Sequence, residues 1–261
     1  MDAILSTNKE AEEFFENDEV FELLAGYTDS DGTVHKEFTL REMTGKDEEA
    51  IHKGDIKNNA SKVVSVLLAR CVTRLGTLTP KSVGAKNWEN IIKSLYIGDQ
   101  DYMLLQLRKI SIGNEITVQH TCPNCRAKLV TTLDIDEIEI KEYQGKEKIP
   151  FELTRGYRDK KGTIHKTGTM RLATGIDREI LTPLAKTNIA RAETVMLTRL
   201  CSFDDGYPID EDLIGNLSIR DREYLQTVLQ DNLFGLNLET EVACEQCGET
   251  FKGSFNATNF I

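Results

Sequence analysis

The sequence contains no run of about 18 apolar residues, so no membrane-crossing helix is expected. Its first residues, Met1-Asp2-Ala3-Ile4-Leu5, lack the basic flank, long apolar centre and cleavage site of a signal peptide, and the protein is expected to mature in a cytoplasm. Basic runs never exceed two residues, and 32 basic residues against 43 acidic ones leave a net charge of −11. Phosphate backbones are held by concentrated Lys and Arg, and unpaired bases by aromatics interleaved with them. Neither pattern occurs, so no nucleic-acid partner is expected. Gly-x-Ser-x-Gly, a phosphate loop, HExxH and a motif-placed carboxylate pair are also absent, which leaves no catalytic constellation to build on. What remains is a chain of 261 residues, 39% hydrophobic and 29% charged, enough for one large domain or two small ones.

Six cysteines stand out against this background. In a reducing compartment they are expected as thiols or metal ligands rather than disulfides. Four form two CxxC turns, Cys122-Pro123-Asn124-Cys125 and Cys244-Glu245-Gln246-Cys247, separated by 118 residues. One CxxC turn offers two sulfurs to one ion. Two turns offer the four thiolates of a closed structural zinc site, which has no open position for a catalytic water.

The acidic segment Glu10 to Glu16, with Phe14 and Phe15, reads as a solvated arm over residues 1–19. Val20–Leu24 and the run from Val34 to Met43 read as strands of a hairpin, joined by the turn Asp29-Ser30-Asp31-Gly32-Thr33. Thr44 starts a helix with acids in its first turn. Residues 60–75 read as one helix with its apolar face at 63, 64, 67, 68, 71 and 75. A short helix from Trp88 to Leu95 follows, then a longer one capped by Asp99 and ending near Gly113. Ile116–His120 and Leu129–Leu133 flank the first CxxC as a knuckle hairpin.

The pattern then starts again. Gly26-Tyr27, Gly32-Thr33, His35-Lys36, Arg41, Thr44-Gly45 and Asp47 recur 130 positions on as Gly156-Tyr157, Gly162-Thr163, His165-Lys166, Arg171, Thr174-Gly175 and Asp177. Asp99, Tyr102, Gly113, Cys122 and Cys125 recur 122 positions on as Asp221, Tyr224, Gly235, Cys244 and Cys247. Arg70 matches Arg199 at 129, so the second copy is shorter by about eight residues between its middle and last helices. The expected fold is α+β: a duplicated unit of hairpin, about three helices and CxxC knuckle, over 20–140 and 141–261. Each unit carries half a zinc site, and the two knuckles face each other across a pseudo-two-fold axis to share one zinc.

Other readings of these residues stay open. The CxxC pairs could be disulfides or redox motifs, although redox CxxC motifs open a helix after a strand and these lie between strands. The zinc could be shared with another chain, and His120 could replace a cysteine ligand. Cys71 and Cys201 read as small core residues. Asp29-Ser30-Asp31-Gly32 suggests calcium, but its counterpart Asp159-Lys160-Lys161-Gly162 loses a carboxylate and keeps only the turn. His35 and His165 read as packing or hydrogen-bonding residues. By function class, a zinc-ribbon adaptor of transcription or translation would need a basic face, and an enzyme would need a deep pocket with perturbed titratable groups.

The residues also resemble a known family. The pattern comprises Arg41 and Thr44-Gly45-x-Asp47, then Leu67-Leu68-Ala69-Arg70-Cys71. It continues as Gly98-Asp99-x-Asp101-x-Met103-Leu104-Leu105-x-Leu107-Arg108, Ser111-x-Gly113-x-Glu115, Cys122-Pro123-x-Cys125 and a C-terminal CxxC. It is similar to the zinc-ribbon baseplate hub proteins of T-even-type contractile-tailed phages, often described as baseplate hub assembly chaperones. The resemblance covers roughly residues 20–255 and is most specific from Asp99 to Cys125. Arg126 departs from the glycine that often follows the first CxxC, whereas Gly248 keeps it in the second. The resemblance implies a non-enzymatic structural or assembly protein of the tail baseplate. Its partners would be hub, wedge or tape-measure proteins in a hetero-oligomeric assembly, and its place the virion or the host cytoplasm during assembly.

Overall fold

The computed structural model describes residues 19–255. The acidic arm, apart from Glu19, lies outside the described residues. Among those described, the fold mixes nine helices with five small antiparallel sheets of two or three strands.

Strands β1 (Glu19–Thr28) and β2 (Val34–Leu40) form the first hairpin. They pair from Glu19↔Leu40 to Glu22↔Glu37, break register, and resume at Tyr27↔His35. Gly26 sits in the break with a φ of 95° that only glycine adopts cheaply. Leu23, Phe38 and Leu40 point inward, as the alternation of a half-buried hairpin requires.

Helix α1 (Gly45–Ile51) starts on a capping box between Thr44 and Asp47. Asn59 caps α2 (Ala60–Cys71), which buries Val64, Leu67, Leu68 and Cys71 at helical spacing. The helix stops there. Residues 72–75, read from sequence as its last turn, are instead strand β3 (Val72–Leu75) on the edge of the first sheet. Val72 N–H closes the final turn onto Leu68 O, after which Val72 pairs with Leu40 and Leu75 with Phe38. Periodicity missed this because Leu75 is buried in either conformation and β-branched Val72 and Thr73 favour the ladder.

Next come α3 (Pro80–Val83), α4 (Ala85–Ser94) and α5 (Ile97–Ser111). Trp88 is buried and donates its indole N–H to Ala69 O at 3.1 Å. Asp99 does not cap its own helix. Its carboxylate accepts the N–H groups of Ala25 and Gly26, at 3.0 and 3.3 Å, and so pins the β1 irregularity to α5. The first knuckle hairpin is β4 (Glu115–Thr121) with β5 (Lys128–Asp134).

After β6 (Ile140–Lys141), β7 (Ile149–Arg158) and β8 (Ile164–Met170) repeat the first hairpin's register. They pair from Ile149↔Met170 to Glu152↔Thr167 and resume at Tyr157↔His165. Helices α6 (Gly175–Thr187) and α7 (Ile189–Leu200) follow, with β9 (Cys201–Phe203) on the sheet edge. Then come α8 (Glu211–Asn216), α9 (Ile219–Asp231) and β10 (Gly235–Leu236), which pairs with β6. The second knuckle hairpin is β11 (Glu239–Ala243) with β12 (Thr250–Ser254).

Two cores result. One gathers Phe38, Leu67, Trp88, Met103 and Ile116. The other gathers Phe151, Met170, Leu197, Ile214 and Leu225. Leu236, Leu238 and Phe255 pack against the first core and Tyr96 against the second, so the chain crosses between them in both directions.

Each core is flanked by a buried carboxylate that the sequence did not announce as such. Asp47 has no exposure and receives both terminal nitrogens of Arg41 (2.7 and 3.0 Å), Nε of Arg70 (2.8 Å) and the N–H and hydroxyl of Thr44. Asp177 is held identically by Arg171, Arg199 and Thr174. Burial disfavours the ionised form of Asp47, yet the Arg41 guanidinium and Thr44 hold it well below the usual carboxylate range. Likewise Asp221 accepts the N–H groups of Thr154, Arg155 and Gly156, as Asp99 does in the first half. The four carboxylates and the Arg and Thr side chains that hold Asp47 and Asp177 were among the recurring identities. The recurrence was the available signal, and its physical content is that two strained loops and two helix starts are tied down by carboxylates.

Candidate metal centre

The two knuckles are built from the same backbone turn. In the first, Cys122 N–H donates to Ala127 O at 2.9 Å and Arg126 N–H to Cys122 O at 3.0 Å. In the second, Cys244 N–H donates to Glu249 O and Gly248 N–H to Cys244 O, both at 2.8 Å. Closing the turn forces its last residue to a left-handed φ, 75° at Gly248 and 60° at Arg126. Arg126 is the sole non-glycine among the described residues with positive φ, at a cost of roughly 1–2 kcal/mol.

The fold brings the four knuckle cysteines together. Cys122 Sγ lies 3.7 Å from Cys247 Sγ, and Cys125 Sγ 3.6 Å from Cys244 Sγ. All four sulfurs fall within 4.8 Å of one another. Sulfurs at the corners of a tetrahedron with Zn–S bonds of about 2.3 Å stand about 3.8 Å apart. The donor set therefore fits one four-coordinate soft metal ion. Cys122 and Cys244 face inward and are buried, whereas Cys125 and Cys247 are exposed.

N–H groups of Cys125 and Asn124 aim at the Cys122 thiol and hold its pKa down, to about 7. The Ala127 N–H favours the Cys125 thiolate, but burial and the neighbouring thiols outweigh it and push that pKa up to about 12. Four thiols crowded together cannot all ionise unless a cation offsets their repulsion.

His120 lies beside this cluster rather than in it. It is buried, and its Nε2 has no hydrogen-bond partner among the described residues. Its ring packs on Gly253 of the second knuckle, where an added Cβ would come within 2.6 Å of ring Cε1. The ring thus acts as a spacer between the two hairpins. Cys71 and Cys201 are buried apart from the cluster, and burial pushes both thiols up to about 12. Asp29 does not form a calcium loop. One oxygen accepts Asp31 N–H and Thr33 N–H and the other meets His35 Nε2 at 2.9 Å, an Asx turn closed by a histidine. His165 meets Asp205 at 2.6 Å and stacks on Tyr207 at 3.9 Å. Both histidines bond and pack, as read from sequence.

Residues 27–165 match the model of a family described as T4 bacteriophage base plate protein. The chain belongs to that family. The match runs from the end of β1 through β2, all helices of the first half, the first knuckle and β7 to the start of β8. Comparison with curated proteins and with solved structures returned no match. Membership gives this base plate protein a structural role in the phage tail, among other tail proteins, and points away from catalysis. Among the described residues no helix is long and apolar enough to cross a membrane.

Proposed function

We propose that this base plate protein works in the hub region of a contractile tail, as a structural or assembly component, and that one zinc ion clips two copies of a duplicated unit. The copies are residues 20–140 and 141–261, and the ligands are Cys122, Cys125, Cys244 and Cys247. The observation that carries the reading is the four-sulfur cluster, in which each hairpin supplies two thiols at near-tetrahedral spacing.

The duplication is supported by hairpins that keep one register and one irregularity at a constant offset of 130 (Glu22/Tyr27 and Glu152/Tyr157). The matched carboxylates Asp47 and Asp177, and Asp99 and Asp221, support it further. The eight-residue difference falls where α3 and α4 of the first half face the single α8 of the second.

A bound zinc ion would supply charge compensation and a fixed tetrahedral geometry. The chain's own residues do the rest. Turn N–H groups favour thiolates, the left-handed residues close each knuckle, and His120 sets the hairpin spacing. Burial of Cys122 and Cys244 keeps water from half of the site. Apparent zinc-binding energies in finger peptides run on the order of 10–16 kcal/mol, enough to dominate the pairing of two hairpins. Base plate placement rests on the family, and hub placement on the sequence resemblance.

Elemental analysis should find one zinc per chain, lost in Cys122→Ser and in Cys244→Ser alike. Two metals per chain, or oxidised CxxC pairs without metal, would overturn the shared site. A phage lacking this chain should fail to build normal baseplates, and normal baseplates would overturn the hub role.

A further inference from the structure

The two halves do not meet symmetrically. The junction between α4 and α5 of the first half, Leu95 to Asp101, docks on the start of α6 in the second half. Ile97 N–H donates to Ala173 O at 3.1 Å and Gly175 N–H to Leu95 O at 3.0 Å. Tyr96 and Thr174 form a β-bridge, and Arg178 donates to Gln100 Oε1 at 2.7 Å and to Asp101. Gly98 slides under Phe234 so closely that a Cβ would lie 2.6 Å from the Phe234 carbonyl oxygen. Junction and groove lie on different parts of the repeat, so the contact is head-to-tail and leaves one of each uncovered.

Both uncovered surfaces are exposed. The first half's groove is open, about 740 Å³, and lined among others by Met43, Thr44, Gly45, Glu48, Ser111 and Ile112. These correspond to Ala173, Thr174, Gly175, Arg178, Leu233 and Phe234 in the covered groove. Ile112 is 56% exposed, whereas its counterpart Phe234 is half-buried under the junction. The second half's junction is Leu217 to Glu223, and its Ile219 is 69% exposed where Ile97 is half-buried. The backbone groups match as well. Among the described residues, Gly45 N–H and Met43 C=O make no hydrogen bond, and neither do Ile219 N–H and Leu217 C=O. Charge is reversed on the groove side alone. Arg178 becomes Glu48 while Asp101 stays acidic as Glu223, and Arg222, the counterpart of Gln100, donates to Thr194 Oγ1 and Ile214 O within its own half, so the backbone and apolar groups carry the match.

We propose that a second copy of this chain docks its Leu217–Glu223 junction into the open Met43–Ile112 groove, repeating between molecules the contact the two halves make within one. The proposal rests on the duplication described above. One substitution tunes it: Arg220 stands where Gly98 makes its close approach, so the intermolecular contact is looser than the internal one. The same heterologous contact repeated at both ends builds a ring if its rotation closes and a filament if it does not.

Sedimentation velocity on the zinc-loaded full chain across the micromolar range tests this. Self-association should rise with concentration, tighten at least about tenfold in Arg220→Gly, and vanish in Ile112→Asp and in Ile219→Asp. Glu48→Arg, which sets a guanidinium opposite Glu223 as Arg178 meets Asp101, should strengthen it. All four substituted positions are on the surface, and circular dichroism together with a zinc content of one per chain confirms that each variant is folded. A chain that stays monomeric even as Arg220→Gly while keeping its zinc overturns the docking and leaves the shared metal site standing. Association that appears only after removal of residues 1–18 assigns the groove to that acidic arm and also overturns the proposal.

Discussion

Asp47→Asn and Asp177→Asn make the same chemical change in the same five-bond setting, and burial predicts that they differ. Asp47 is fully buried between Arg41 at 6% and Arg70 at 11% side-chain exposure. Asp177 is also fully buried, but its partners Arg171 and Arg199 are 39% and 33% exposed. Asparagine keeps the volume and one acceptor oxygen but removes the charge. In the first site two guanidinium groups are left facing each other with little water, which costs about 3–5 kcal/mol. In the second, water solvates the guanidinium groups, and the cost falls to about 1–2 kcal/mol.

Urea unfolding at neutral pH with saturating zinc measures both. Trp88 is the sole tryptophan and lies in the first core, its indole bonded to Ala69 beside Arg70. Its fluorescence follows the first core, while far-ultraviolet circular dichroism follows the whole chain. Asp47→Asn should shift both signals. Asp177→Asn should shift the dichroism, and it should shift the fluorescence only if the cores unfold together. Equal costs for the two variants, or a cost for Asp47→Asn below about 1 kcal/mol, would refute the claim that partner burial sets the strength of these carboxylate sites.

Other outcomes follow from the same geometry. Gly253→Ala should destabilise the paired hairpins by about 1–3 kcal/mol, since its Cβ meets the His120 ring, and His120→Ser should relieve most of that cost; thermal unfolding of the double variant decides it. Gly248→Val forces a β-branched residue to a φ of 75° and should cost about 1–2 kcal/mol, while Arg126→Gly should cost nothing or stabilise slightly. Burial raises the pKa of Asp177, but Arg171, Thr174 and Arg199 more than offset this and bring it down to about 2. A depressed carboxylate contributes stability above its unfolded pKa of about 3.9 and loses it as pH falls towards 2, here roughly 1–2 kcal/mol after discounting for its half-exposed partners. Carbonyl-carbon NMR titration of Asp177 should place its midpoint well below that of exposed aspartates. Acidification should also release the metal as thiolates protonate, and a chelator at neutral pH should loosen the hairpin pair while both cores persist.

Several local features were legible because their causes are local. The hairpin turns at Asp29 and Asp159, the Thr44 and Thr174 capping boxes and the two CxxC turns each need only a few neighbouring residues, and each forms where the residue types dictate. The recurring identities marked which positions carry structure, including Arg41, Asp47, Arg70 and Asp99. Their spacing alone gave no hint of what they do. The end of α2 could not be read, because a buried Leu75 satisfies a helix face and a sheet edge equally well, and only the neighbouring β2 decides between them. Asp99 looked like a cap because it opens a helix. Its true partners are the backbone amides of a bulge more than seventy residues earlier in the chain.

The amino-acid sequence by itself set the composition of the four-sulfur cluster and the turns that present it, because CxxC geometry is fixed within six residues. Tertiary structure alone decided that those sulfurs meet at 3.6 and 3.7 Å, that His120 spaces the hairpins, and that Leu95–Asp101 docks on the start of α6. Those outcomes depend on how two cores share their surfaces. Gly98 passes under Phe234 only because both cores place them there, and no local rule in a single chain specifies which surface of one half will cover which surface of the other.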